Sequence, residues 1–79
     1  MSFMIHRLKI LPEYFLAIAK GIKTFDVRFN DRGYKLGDYI VFEEYCEGKY
    51  TGRFLVAKIV HILNDPEYCK EGYVILGIK

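Results

Sequence analysis

The sequence predicts an α+β fold: a curled sheet of about five to six mostly antiparallel strands with one main helix. Three observations predict it. Several short stretches alternate apolar with polar side chains, the period of a half-buried strand. One stretch alone, after Pro12, switches to helical spacing. The connections between stretches are short and carry Gly, Asn and Asp, which suit turns. With 79 residues, the chain is one domain over 1–79. That many twisted strands in so short a chain are expected to curl toward a barrel, which also removes open sheet edges.

The elements follow in order. Met4 to Leu11 reads as a strand, with His6, Leu8 and Ile10 on one face and Ile5, Arg7, Lys9 and Leu11 on the other. Pro12 starts a helix over 12–20, because a first-turn residue has no intrahelical use for its N–H. Leu11, Tyr14 or Phe15, Ile18 and Ile22 supply an apolar face, and Gly21 suits the left-handed position that closes a helix. About nine residues make a helix too short to stand alone, so it must pack on the sheet. A strand over Lys23 to Phe29 follows, ended by the turn residues Asn30-Asp31-Arg32-Gly33. Tyr39 to Tyr45 is rich in aromatic and β-branched residues, as strands are. Glu47-Gly48-Lys49 makes a hairpin loop into a long strand over Tyr50 to Leu63, bent near Gly52. Tyr73 to Ile78 is the last strand.

Composition narrows the class. A content of 52% hydrophobic and 16% aromatic residues argues for a packed globule and against a disordered tail. No apolar run is long enough to cross a bilayer. Arg7 and Lys9 interrupt the first apolar stretch, so it does not read as a signal peptide, and a cytoplasmic location is expected. Cys46 and Cys69 lack the paired short spacing of a zinc site and are expected to be free thiols. No metal or other cofactor is expected.

The net charge of +2 is unevenly spread. Residues 1–35 hold seven basic and three acidic side chains; residues 36–79 hold five and seven. The basic excess surrounds the stretch Gly21-Ile22-Lys23-Thr24-Phe25-Asp26-Val27-Arg28-Phe29-Asn30-Asp31-Arg32. Phe25, Val27 and Phe29 are expected to point into the core. Thr24, Asp26 and Arg28 would then form a polar face able to hold a ligand, and phosphate-bearing partners match such a surface.

Gly21-Ile22-Lys23-Thr24-Phe25-Asp26-Val27-Arg28 resembles the G-x-K-x-x-E-x-R signature of ASCH domains, a branch of the PUA-like β-barrels. Asp26 stands where the signature has glutamate, one methylene longer. Gly37-Asp38 resembles the Gly-Asp that follows the signature. His6-Arg7-Leu8-Lys9-Ile10, Asn30-Asp31-Arg32, Tyr50-Thr51-Gly52-Arg53 and Gly72-Tyr73-Val74 resemble stretches of small, largely uncharacterised bacterial and phage ASCH proteins. The resemblance implies a curled barrel with a helix beside a polar cleft that binds RNA or a nucleotide-like ligand.

Three functions stay open. In the first, a binding module, Lys23, Arg28 and Arg32 neutralise phosphates, and Arg28 and Asn30 read base edges. Tyr34 or Tyr39 stacks a base. Asp26 holds Arg28, and His6 and Lys9 join if the first strand lies nearby. In the second, the resemblance extends to ASCH amidohydrolases that deacetylate acetylated cytidine. Lys23 and Thr24 would then be catalytic, as base and nucleophile, with Glu43, Glu44 or Glu71 as the carboxylate partner. In the third, a protein-interaction module, the tyrosines Tyr45, Tyr50 and Tyr68 meet a partner.

Overall fold

The computed structural model describes residues 2–79. Five strands and one helix occur in the order β1 (Ile5–Ile10), α1 (Pro12–Ala19), β2 (Phe25–Phe29), β3 (Tyr39–Cys46), β4 (Lys49–Leu63) and β5 (Tyr73–Ile78). Each predicted element is present, with ends moved by no more than two residues. The strands form one sheet in the order β1-β3-β4-β5-β2. β1 runs parallel to β3; the other neighbours are antiparallel.

The long β4 is what lets so few strands wrap a core. Its first part pairs with β3 through Lys58, and from Ile59 it pairs with β5. The two-residue connection Glu47-Gly48 has both φ angles positive, 50° and 79°, the conformation that suits the twist of a tight hairpin. The inward faces of β3, β4 and β5 meet at Ile40, Phe42, Ile59 and Leu76, all fully buried. Burial of a side chain such as Phe42 contributes about 2–3 kcal/mol.

Helix α1 begins at Pro12 and closes at Gly21, whose φ is +73°. Gly21 N–H donates to Ile18 O and Ile22 N–H to Ala17 O, which satisfies carbonyls the helix would leave open. Phe15 is its buried residue, with Ile18 packed partly against the core. Leu11 and Ile22 do not join that face and are exposed. The chain has already turned at Gly21, so Ile22 is not on the helix.

Two expectations are corrected. The sheet does not close into a barrel: it is open, and β1 and β2 are its edges. The two edges nevertheless face each other, because Arg28 of β2 donates to Lys9 O of β1 at 2.8 Å. Arg32, just beyond β2, donates to Arg7 O at 3.0 Å. Charged side chains occupy the seam where a strand ladder would otherwise form.

The register of β2 is also opposite to expectation. Asp26 is turned inward and is 6% exposed, whereas Phe25, Val27 and Phe29 face outward at 47%, 51% and 55%. The period of two is as expected and the faces are exchanged. Other strands already fill the apolar interior, and the inner side of β2 meets the polar seam. There Asp26 finds cationic partners. The outward residues pair across to β5, Val27 with Ile75 and Phe29 with Tyr73, whose rings pack edge to face.

Asp38, 2% exposed, ties the start of β1 to the start of β3. It accepts from His6 Nε2 at 2.8 Å and from the N–H groups of Met4 and Lys35 at 3.1 Å each. Gly37, at φ +90°, makes the turn that aims it, and a Cβ there would meet the Phe3 ring at 2.8 Å. Burial raises the Asp38 carboxyl, but the bonds from His6, Met4 and Lys35 outweigh this and hold it below its ordinary value. A lowered carboxylate stabilises the fold fully above its unfolded value and loses that contribution as pH falls through the folded one. Asp38→Ala should therefore cost about 3 kcal/mol in urea unfolding at neutral pH, since it strands buried donors. The difference from wild type should shrink progressively as pH falls from 3.8, the ordinary value, through the lowered folded value.

Candidate functional site

The seam widens beside the helix into a cleft of about 400 Å³. Lys9 of β1, Tyr14 of α1, and Lys23, Asp26 and Arg28 from the β2 segment line it. Alternation on β2 puts Asp26 and Arg28 on one face, two residues apart. The turn at Gly21 delivers Lys23 beside them.

Asp26 is the centre of the arrangement. Its Oδ2 accepts from Arg28 Nε at 2.5 Å, and its Oδ1 lies 3.6 Å from Lys23 Nζ. Lys23 Nζ also donates to Phe25 O at 2.6 Å and lies 4.5 Å from the centre of the Phe25 ring. With one guanidinium nitrogen on Asp26 and another on Lys9 O, Arg28 is held at both ends. Lys9 extends its ammonium over Tyr45 at 4.5 Å. Two cations thus meet one carboxylate, and the cleft keeps a positive surplus suited to an anion.

The other sequence-predicted residues are placed as follows. Arg32 lies further along the seam, in a separate hollow of about 160 Å³ that shares Arg28 as a wall. Thr24 lies on the far side of Lys23, in an apolar cavity of about 530 Å³ with Phe15, Ile18, Ala57 and Ile78. Asn30 turns away toward Gly72, to which its N–H donates at 2.7 Å, and lines neither the cleft nor that cavity. His6 is buried, bonded to Asp38, and stacked near Tyr34 with ring centres 4.7 Å apart. Tyr34 is itself buried and cannot offer a face to a base, and Tyr39 packs edge to face with Phe3. Tyr14 is the aromatic residue at the cleft. Its position on the polar side of a short helix gave no sequence signal beyond being one of two candidates for the apolar face.

A second polar cluster also escaped sequence reasoning. On β4, Thr51-Gly52-Arg53 bulges opposite the single residue Glu44 of β3. The bulge turns Thr51 Oγ1 and Arg53 toward Glu44, which accepts at 2.7 Å from the threonine and at 2.8 and 3.0 Å from the guanidinium. These bonds, Arg53 first, hold the Glu44 carboxyl below its usual range, and Glu44 raises Arg53 in turn. Gly52, at φ +91°, was the available signal. Among the described residues no three His, Cys, Asp or Glu side chains gather to hold a metal. Nor is any helix there long and apolar enough to cross a membrane.

Residues 5–78 match a family described as a domain of unknown function, DUF3850. The match spans the whole seam. A protein of Escherichia phage P2, described as an uncharacterized 12.9 kDa protein in the GpA 3′ region, is 33% identical over 76 residues. That alignment covers 96% of this chain and 69% of the phage protein.

Asp26→Ala should remove the partner of both Lys23 and Arg28. Stability should fall by about 1–3 kcal/mol, the cost of leaving a half-buried charge without its hydrogen bond. The check is the urea midpoint at unchanged slope, together with the Arg28 Nε–H resonance, which should lose its protection.

Proposed function

The chain belongs to the DUF3850 family, and from the chemistry of its cleft we propose that it is an ASCH-like binding module for RNA or a nucleotide-like ligand. The observation that carries this reading is the convergence of Lys23 and Arg28 on the single carboxylate of Asp26, in a cleft that Lys9 and Tyr14 also line. Asp26 holds Lys23 and Arg28 in place before a ligand arrives, which lowers the ordering cost of binding. Arg28 contacts phosphate or a base edge through the guanidinium face not used by Asp26. Tyr14 offers a ring for stacking, in the place that the sequence had suggested for Tyr34 or Tyr39. The Gly21-x-Lys23-x-x-Asp26-x-Arg28 spacing supports the ASCH-like part of the reading, since its three charged residues are those that line the cleft. A PUA-like ancestry is compatible with the curled sheet, whose edges face across the arginines.

The amidohydrolase alternative has less support. It asks Lys23 to take a proton from Thr24. Yet Lys23 Nζ is engaged as a donor to Phe25 O, and Asp26 is the carboxylate beside it. Glu44 is committed to Arg53 and Thr51, Glu43 lies near Arg7, and neither lines the cavity with Thr24.

Arg28→Ala should weaken binding of a short RNA by about 1–3 kcal/mol, the scale of one good base contact. Thr24→Ala should cost about 1 kcal/mol or less, since it removes at most one neutral hydrogen bond. Both are read by titration at fixed salt, with parallel assay for release of acetate from acetylcytidine. Acetate release by wild type that disappears in Thr24→Ala would replace the binding reading with the enzymatic one.

A further inference from the structure

We propose that the seam between β1 and β2 is a track for a single-stranded phosphodiester backbone, gripping two consecutive phosphates astride Arg28 without reading the sugar. The inference rests on the binding reading above and adds the class of ligand. It comes from the main chain of the two edges.

In a strand, the N–H and C=O of one residue point to the same neighbour, and those of the next residue to the opposite side. Met4 O accepts from Tyr39 N–H at 3.0 Å, so the even-numbered groups of β1 are spent on β3. Arg7 and Lys9 therefore turn theirs to the seam. On β2, Thr24 O accepts from Ile78 N–H at 2.9 Å and Asn30 N–H donates to Gly72 O. Phe25, Val27 and Phe29 thus face the seam from the other side.

The donors and acceptors on these edges are unequally occupied. Arg7 O is taken by Arg32, Lys9 O by Arg28, Phe25 O by Lys23, and Phe29 O by the N–H of Asp31. Ile5 O and Val27 O are the exceptions. The N–H groups of Arg7, Lys9, Phe25 and Val27 meet no protein acceptor among the described residues. The seam is therefore richer in free donors than in free acceptors, with three of its carbonyls bound by cationic side chains. An added peptide strand needs donors and acceptors in alternation, and here most acceptors are already used. Phosphodiester oxygens only accept, so they match what remains.

Arg28 stands between the two hollows, the cleft with Lys9 and Lys23 on one side and the pocket with Arg32 on the other. Arg7 and Lys9, whose carbonyls mark the two sites, are two residues apart, about 6.6 Å along a strand. That is the scale of neighbouring phosphates on an extended nucleic-acid chain. A 2′-hydroxyl is what tells RNA from DNA, and as a neutral acceptor it competes poorly with charged phosphate oxygens for these donors.

The test is an NMR titration with UMP, the dinucleotide pUpU and its deoxy counterpart pdTpdT. Both dinucleotides should bind within about twofold of each other, and about tenfold or more tighter than UMP, as a second phosphate contact predicts. The amides of Arg7, Lys9 and Val27 should shift. For the single-stranded octamer dT8, the salt dependence should have a logarithmic slope of about −1.4, the value for two phosphates on a single strand. Arg32→Gln should bring pUpU binding down to that of UMP. If pUpU binds no tighter than UMP while Tyr14 and Lys23 still respond, the track is wrong and the binding cleft survives. If no nucleotide perturbs the cleft, both fall. Preferential binding of an alternating Glu-Val hexapeptide would overturn the track in favour of strand addition. Should Arg32→Gln fail to fold, the wild-type slope decides alone: a value near −0.7, one phosphate, overturns the proposal.

Discussion

An open sheet has two edges, and in this molecule they face each other with only side chains between them. Arg28 is the principal link. One nitrogen of its guanidinium is bound to Asp26 on its own strand and another to the main chain of β1. Because β1 and β2 share no ladder, the approach of these edges depends on charge-assisted bonds of this kind, which are stronger and more directional than neutral ones. The cleft beside the helix exists because the edges come near without pairing.

The same solution recurs on the inner face of the sheet. Asp26, Asp38 and Glu44 are all buried, and each has its own donors: Lys23 and Arg28; His6 with two main-chain N–H groups; Thr51 and Arg53. A buried carboxylate without partners is costly, so each must be satisfied where it lies. Asp38 joins β1 to β3, Glu44 fixes the bulge of β4, and Asp26 arms the seam. In a chain of 79 residues the apolar core is small, and these three sites supply the fixed points that the core alone does not. Asp38 and Glu44 have their donors close around them in the fold. Asp26 alone shares its partners with the cleft beside the helix.

Much of this was legible before the structure. The elements were readable because their signals are local: alternation for strands, Pro12 to open the helix, Gly21 to close it, Glu47-Gly48 to turn the hairpin. The cluster of Lys23, Asp26 and Arg28 was readable because a turn and three residues of strand place them together whatever surrounds them. His6 was easy to notice, but it lies buried on Asp38 and does not line the cleft. A histidine among apolar neighbours looks functional until its partner is known, and Asp38 lies 32 positions away. Tyr14, Thr51 and Arg53 were missed because their roles come from what faces them.

The sequence by itself determined the number and kind of the elements, the polar and apolar sides of each strand, and the crowding of cations near β2. Only the tertiary structure decided which side of β2 turned inward. Alternation with a period of two separates two faces but gives neither face a sign; the sign comes from what lies opposite, and opposite β2 lies a polar seam. Only the tertiary structure decided that β1 pairs with β3 and confronts β2 across a gap, since strand order joins residues far apart in the chain. That order leaves the free edges of β1 and β2 face to face, and so places Lys9 with Arg28 while leaving His6 behind.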